Sequence, residues 1–249
     1  MDIWAACREA VVPSALEGEL IRVVESQEQI ATRTLVDDLA EQALLEDLLE
    51  TSKPPLPADS SHLDYLLSSP FRYPPLEYGS RFGTRQEPSL FYGALDIAPA
   101  LAETAYYRLV FWSGMLMPPP TGRLTTEHTL FAASYATQRG LNLHEPPFSA
   151  YSAALVNPKS YRETQLLGGN MREAGIEAFI YRSARDPAGG LNIALFGVAA
   201  FAQPAPLWKQ SWLCDTSEEE VAFYNKTQGT RLYQRTQFLV EGALPLPPD

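Results

Sequence analysis

The sequence predicts an α+β fold, a mixed sheet packed with helices and preceded by an acidic helical extension, and three observations carry that prediction. Apolar residues recur at helical spacing between Ser14 and Leu49, and a proline-opened, alanine-rich stretch over 98–112 has the same period. Short aromatic or β-branched segments at 89–97, 175–185 and 191–201 are bounded by glycine and proline, as strands are. With 249 residues, 45% of them hydrophobic and 20% charged, the chain can bury a substantial core.

In chain order, Leu16, Leu20, Val23, Val24, Ile30, Leu35, Leu39, Leu44 and Leu48 predict two amphipathic helices among many acids. "TSKPPLP" (51–57) ends them, because successive prolines lack amide donors and restrict the residues before them. "SLFYGALDI" (89–97) predicts a strand, and 98–112 a helix with Pro99 at its start. "SYATQRG" (134–140) and "NPKSYRETQLLGGNMREAG" (157–175) are assigned to intervening helices or loops. The 175–185 and 191–201 segments predict two strands joined by the turn "DPAGG", and 217–237 a closing helix and strand. The expected organisation is an extension over 1–70, a core over 71–215 and a closing element over 216–249.

Net charge is −11, and residues 1–70 carry 14 Asp and Glu against 4 Lys and Arg. That balance excludes a general nucleic-acid binder, which needs a basic face. Cys7 and Cys214 lack metal-ligand spacing, and His62, His128 and His144 are dispersed, so neither a metal site nor a Ser-His-Asp arrangement is expected. No apolar run reaches the ~18 residues of a membrane span, and the first residues lack the basic start of a signal peptide; a cytoplasmic protein is expected. No G-x-G-x-x-G follows a strand, so a Rossmann dehydrogenase is not predicted.

Arg81, Tyr92 and Glu103 stand eleven residues apart in small, apolar surroundings. On the 98–112 helix Glu103 shares a face with Ala100, Tyr106, Tyr107 and Val110. A carboxylate in an apolar stripe must pair with a cation, take up a proton or line a cleft. The ordinary alternatives are a helix-end ion pair for Glu103, a solvated Arg81 and a packing role for Tyr92.

The segments "GSRFG", "SLFYGAL", "ALAETAYYR" and "IYRSARDPAGGLNIALF", in that order and spacing, resemble the RES-domain family, named for its Arg, Glu and Ser and comprising toxins of bacterial Xre–RES toxin–antitoxin pairs. The resemblance spans about residues 71–201 and puts the family's arginine at Arg81, its tyrosine at Tyr92, its glutamate at Glu103 and its serine at Ser183; Asn192 also fits. It implies an ADP-ribosyltransferase-like core, NAD+ as substrate rather than a bound prosthetic group, and an Xre-type antitoxin covering the cleft. Glu103 would stabilise the ribosyl cation, Arg81 the pyrophosphate, Tyr92 a stacked base and Ser183 the nicotinamide ribose, with Asn192 among the NAD+-binding residues. The acceptor could be water, inorganic phosphate or a protein side chain, the last making a mono-ADP-ribosyltransferase; a non-catalytic RES-like binding module is the third reading. "LLSSPFRYPP" resembles a longer subgroup, with Arg72 as a further candidate at the site.

Overall fold

The computed structural model describes residues 1–26, 35–57 and 59–247. Its longest element is β3 (Leu124–Asn142), whose buried run from His128 to Ala133 gives it partners on both edges. One edge pairs antiparallel with β1 (Ser14–Glu25), from Glu25 opposite His128 to Ser14 opposite Gly140. The other pairs antiparallel with β6 (Trp208–Thr216) and then, over Gly140 to Asn142, in parallel with β4 (Ala178–Arg182). β4 pairs with β5 (Leu191–Leu195), β5 with β2 (Phe91–Ala94), and β2 returns to β1 through the one register pair Ile21 and Ala94. The pairings among β1, β2, β5, β4 and β3 therefore close a cycle, with β1 and β2 its weakest seam. The hairpin of β7 (Glu220–Asn225) and β8 (Gly229–Gln234) extends the sheet beyond β6.

Three apolar clusters hold helices to this sheet. α4 (Ile97–Ser113), whose first turn is capped by Asp96, packs Leu101, Ala105, Tyr106 and Leu109 against Leu130, Trp212, Val221 and Phe223. α1 (Ile3–Cys7) and α6 (Arg162–Glu173) pack Ile3, Cys7, Leu167 and Met171 with Phe82, Phe179 and Tyr181. α3 (Tyr65–Arg72) places Leu67 against Leu20, Phe91, Phe131 and Ile193. The short α5 (Ser152–Leu155) contributes Leu155 to the α1 and α6 cluster.

The α+β class, the strands at 89–97 and 175–185 and the helix at 98–112 are as the sequence predicts. The 191–201 strand stops at Leu195, and Val198–Ala200 form one 3-10 turn. The N-terminal segment differs: residues 14–25 form β1, not an amphipathic helix. Leu16 and Leu20 are four apart, a spacing that serves a strand face as well as a helix face. Ile21, Val23 and Val24 are β-branched, and alternation puts Leu20 and Val24 in one cluster and Ile21 and Val23 in another. α2 (Leu39–Ser52), capped by Asp38, is the expected second helix, yet Leu39, Leu44 and Leu48 are exposed. Ile30 lies outside the described residues.

Two further expectations are corrected. "SYATQRG" lies within β3, where Ala133, Tyr135 and Thr137 alternate inward. Where a helix and strand are expected over 217–237, residues 220–234 form a hairpin, because Val221 and Phe223 face the core at a period of two, and a 3-10 turn follows at Arg235–Phe238.

Candidate active site

The β1–β2 seam opens into a cleft of about 490 Å³ lined by Arg22, Arg81, Tyr92, Glu103, Tyr181 and Asn192, with Tyr78, Tyr107 and Tyr161 at its walls. Its size is that of ordinary small-molecule sites. Three expected site residues, Arg81, Tyr92 and Glu103, meet here from a loop, β2 and α4, and Asn192 joins them from β5.

Glu103 is held by neutral donors. Ser183 Oγ donates to its Oε1 at 2.6 Å and Asn192 Nδ2 at 3.0 Å. No ion pair among the described residues includes Glu103, and its Oε2 has no hydrogen-bond partner among them. The helix-end ion pair is thus absent, and one carboxylate oxygen remains available at the cleft. Ser183 itself lies behind the lining: its hydroxyl also accepts the N–H groups of Arg185 (3.1 Å) and Asp186 (3.0 Å). With its proton on Glu103 and its lone pairs on the turn, Ser183 orients the carboxylate and anchors the "DPAGG" connection.

The loop bearing Arg81 is fixed on both sides of that residue. The Tyr92 hydroxyl exchanges a hydrogen bond with Ser80 Oγ (2.8 Å) and accepts the Phe82 N–H (3.1 Å). Gln165 Nε2 of α6 donates to the carbonyls of Tyr78 (2.9 Å) and Ser80 (3.1 Å). Phe82 is fully buried, with the rings of Phe179 and Tyr181 edge-on at 4.7 and 4.8 Å. α6 can approach it because residue 168 is glycine: a Cβ there would stand 1.8 Å from the Phe82 carbonyl oxygen. The Arg81 guanidinium lies over the Tyr161 ring at 4.8 Å and donates to the Asn157 carbonyl at 2.9 Å.

Two of the tyrosines at the cleft, Tyr92 and Tyr181, stay protonated. Burial pushes the Tyr92 hydroxyl up to about 12 despite its bonds to Ser80 and Phe82. Burial raises Tyr181 well above its usual value, and the nearby Glu103 charge adds to the rise. They can orient a ligand and stack on it without adding negative charge.

Arg72 is placed elsewhere. Its Nη1 pairs with Glu50 at 2.6 Å and its Nε with the Pro54 carbonyl, so it ties α2 to α3 and does not line the cleft. Arg22 and Tyr181 line the cleft although the sequence did not single them out. Tyr181 carries a signal, standing two residues before Ser183 and so on the same face of the strand expected over 175–185. Arg22 carries none once 14–25 is read as a helix, because its neighbours across β3 and β2 are then invisible.

Among the described residues no helix is long and apolar enough to cross a membrane, and no group of His, Cys, Asp and Glu could hold a metal ion. No curated protein matches the chain. The RES domain profile matches residues 56–217, a span that includes Arg81, Tyr92, Glu103, Ser183 and Asn192. This match covers more than half of the sequence, and the chain belongs to the RES domain family.

Proposed function

We propose that this protein is an NAD+-consuming enzyme that cleaves the bond between nicotinamide and ribose, with water or inorganic phosphate as acceptor, and acts as the toxin of a toxin–antitoxin pair in the cytoplasm. The observation that carries this reading is Glu103: one carboxylate, oriented by Ser183 and Asn192, with Oε2 unpartnered among the described residues, in a cleft that also presents arginine and several tyrosines.

That arrangement suits a reaction needing one acidic group. Breaking the C1′–N1 bond returns its electron pair to the nicotinamide ring and neutralises the pyridinium, so the leaving group requires no proton. Positive charge builds on the ribose C1′ and ring oxygen, where a fixed carboxylate stabilises it. A glycosidase acting on an ordinary sugar needs a second carboxyl group to protonate the leaving oxygen. Among the described residues Glu103 is the only carboxylate lining this cleft. An incoming water gives up its proton as it bonds to C1′, and Oε2 of Glu103 is the acceptor at hand. Phosphate arrives with an anionic oxygen and needs no base. Arg81 offers the planar donors that suit a pyrophosphate, and Tyr92 and Tyr181 offer ring faces.

A cell making such an enzyme must block it. Tyr107 and Leu76 line the cleft and remain 46% and 61% exposed, a rim that an Xre-type antitoxin segment would cover. The test of the catalytic reading is incubation with NAD+, with and without inorganic phosphate, following products by NMR. Nicotinamide release is expected, with a roughly 10²- to 10³-fold lower rate in Glu103→Gln, the scale of losing one key electrostatic group. ADP-ribose or its phosphorylated counterpart then identifies the acceptor. Folded protein that releases no nicotinamide in either buffer rejects the proposal.

A further inference from the structure

Arg22 is the least explained cation near the cleft. It projects from β1, lies outside the span matched by the RES profile, and lines the same cleft as Arg81 and Glu103. Its Nη1 donates to the Tyr92 carbonyl at 2.6 Å, and its guanidinium carbon sits 4.7 Å from the centre of the Phe91 ring. Its Nε is buried with no acceptor, and no carboxylate pairs with it among the described residues.

Arg172 and Arg185 also set a guanidinium over a ring with a backbone carbonyl as acceptor, but of these three arginines Arg22 alone lines the cleft. The chain carries 30 Asp and Glu against 19 Lys and Arg, so carboxylates are plentiful. A half-buried cation against an aromatic ring, with one carbonyl for an acceptor, lacks its natural counter-charge. Burial lowers the Arg22 guanidinium to about 10, which still leaves it charged at neutral pH.

We infer that Arg22 is a second anion ligand of the cleft and binds the pyrophosphate of the dinucleotide from the β1 wall, working with Arg81. This inference rests on the NAD+ reading above and adds a residue to it. Tyr92 connects the two cations: its carbonyl accepts from Arg22, and its hydroxyl braces the residues on either side of Arg81. The single-pair seam between β1 and β2 is what lets an arginine of β1 reach the cleft, since a continuous ladder would occupy those backbone groups. A guanidinium fits this task because one side chain can keep a donor on Tyr92 and direct others at phosphate oxygens.

The test is a calorimetric titration of the protein, Arg22→Met and Arg22→Lys with ADP-ribose and with adenosine, alongside kcat/KM for NAD+ and for nicotinamide riboside, which has no pyrophosphate. Arg22→Met should weaken ADP-ribose roughly 10- to 100-fold, the scale of a lost charge-assisted contact, with adenosine weakened far less and Arg22→Lys in between. The ratio of kcat/KM for NAD+ to that for nicotinamide riboside should fall by a similar factor. Unchanged ADP-ribose affinity overturns the inference, as does equal weakening of ADP-ribose and adenosine, or loss of the folded state in both variants, which would make Arg22 a structural cation. Nicotinamide release that depends on Glu103 while Arg22 variants bind ADP-ribose normally removes Arg22 alone. Arg22-dependent binding of ADP-ribose by a chain that never releases nicotinamide keeps the site and removes the catalytic reading.

Discussion

At Tyr92 one side chain serves two ends of the cleft. Its ring lines the space where a base would stack, and its hydroxyl is committed to Ser80 and Phe82. Removing that hydroxyl should therefore act through Arg81 and not through lost stacking. In Tyr92→Phe the ring remains, but the Phe82 N–H loses its acceptor, which costs about 1–3 kcal/mol of stability. We expect a lower midpoint in urea unfolding, and KM for NAD+ raised several-fold with kcat changed less, because the loop carrying the arginine loosens while Glu103 keeps both donors. A fall in kcat with KM intact would instead put the hydroxyl at the reacting ribose. The same logic separates Ser183 from Asn192. Both hold Oε1 of Glu103, yet Asn192 lines the cleft and can also meet a ligand, whereas Ser183 has spent its proton and lone pairs on Glu103 and the 183–186 turn.

Among the elements, α6 shows how packing distant from the chemistry sets the site. Its Gly168 lies against the Phe82 carbonyl, next to Arg81 in sequence, and its Gln165 holds the Tyr78 and Ser80 carbonyls. In Gly168→Ala the new methyl has no room, so helix and loop must part; overpacking of this kind costs about 1–3 kcal/mol or more. Thermal unfolding should come several degrees earlier, and NAD+ cleavage should fall through KM, although residue 168 touches no ligand. Unaltered KM in a destabilised variant would show that the loop holds its place without α6. The sequence made part of this legible. α4, β2, β4 and β5 carry local signals in proline placement, aromatic alternation and a glycine-rich turn, and Arg81, Tyr92, Glu103 and Asn192 sit on or beside them. β1 was not legible, because Leu16 and Leu20 satisfy two periods at once and the decision between them lies in β3, more than a hundred residues later. Arg22 was lost with it, and the bracing of Arg81 by Gln165 and Gly168 is a tertiary contact with no local sequence signal.

For the whole molecule, the consequence is that the N-terminal segment belongs to the core. β1 pairs with β3 from Ser14 to Glu25, closes the strand cycle against β2, and contributes Leu16, Leu20, Ile21 and Val23 to two apolar clusters. A chain lacking residues 1–25 would leave that edge of β3 unpaired, uncover Phe91 and Phe131 beneath the missing leucines, and remove Arg22 from the cleft. An exposed apolar edge of this length favours pairing with another chain over a stable monomer. We therefore expect the truncated chain to aggregate or to lose its near-ultraviolet circular dichroism while keeping helical signal in the far ultraviolet, the signature of lost side-chain packing. A truncated chain that stays monomeric with native near-ultraviolet spectra and binds ADP-ribose as the full chain does would make the segment a dispensable appendage, and would place the anion site entirely on Arg81. The first outcome makes an intact cleft depend on closure of the sheet, because the strand that completes the cycle is also the strand that carries Arg22 into the cleft.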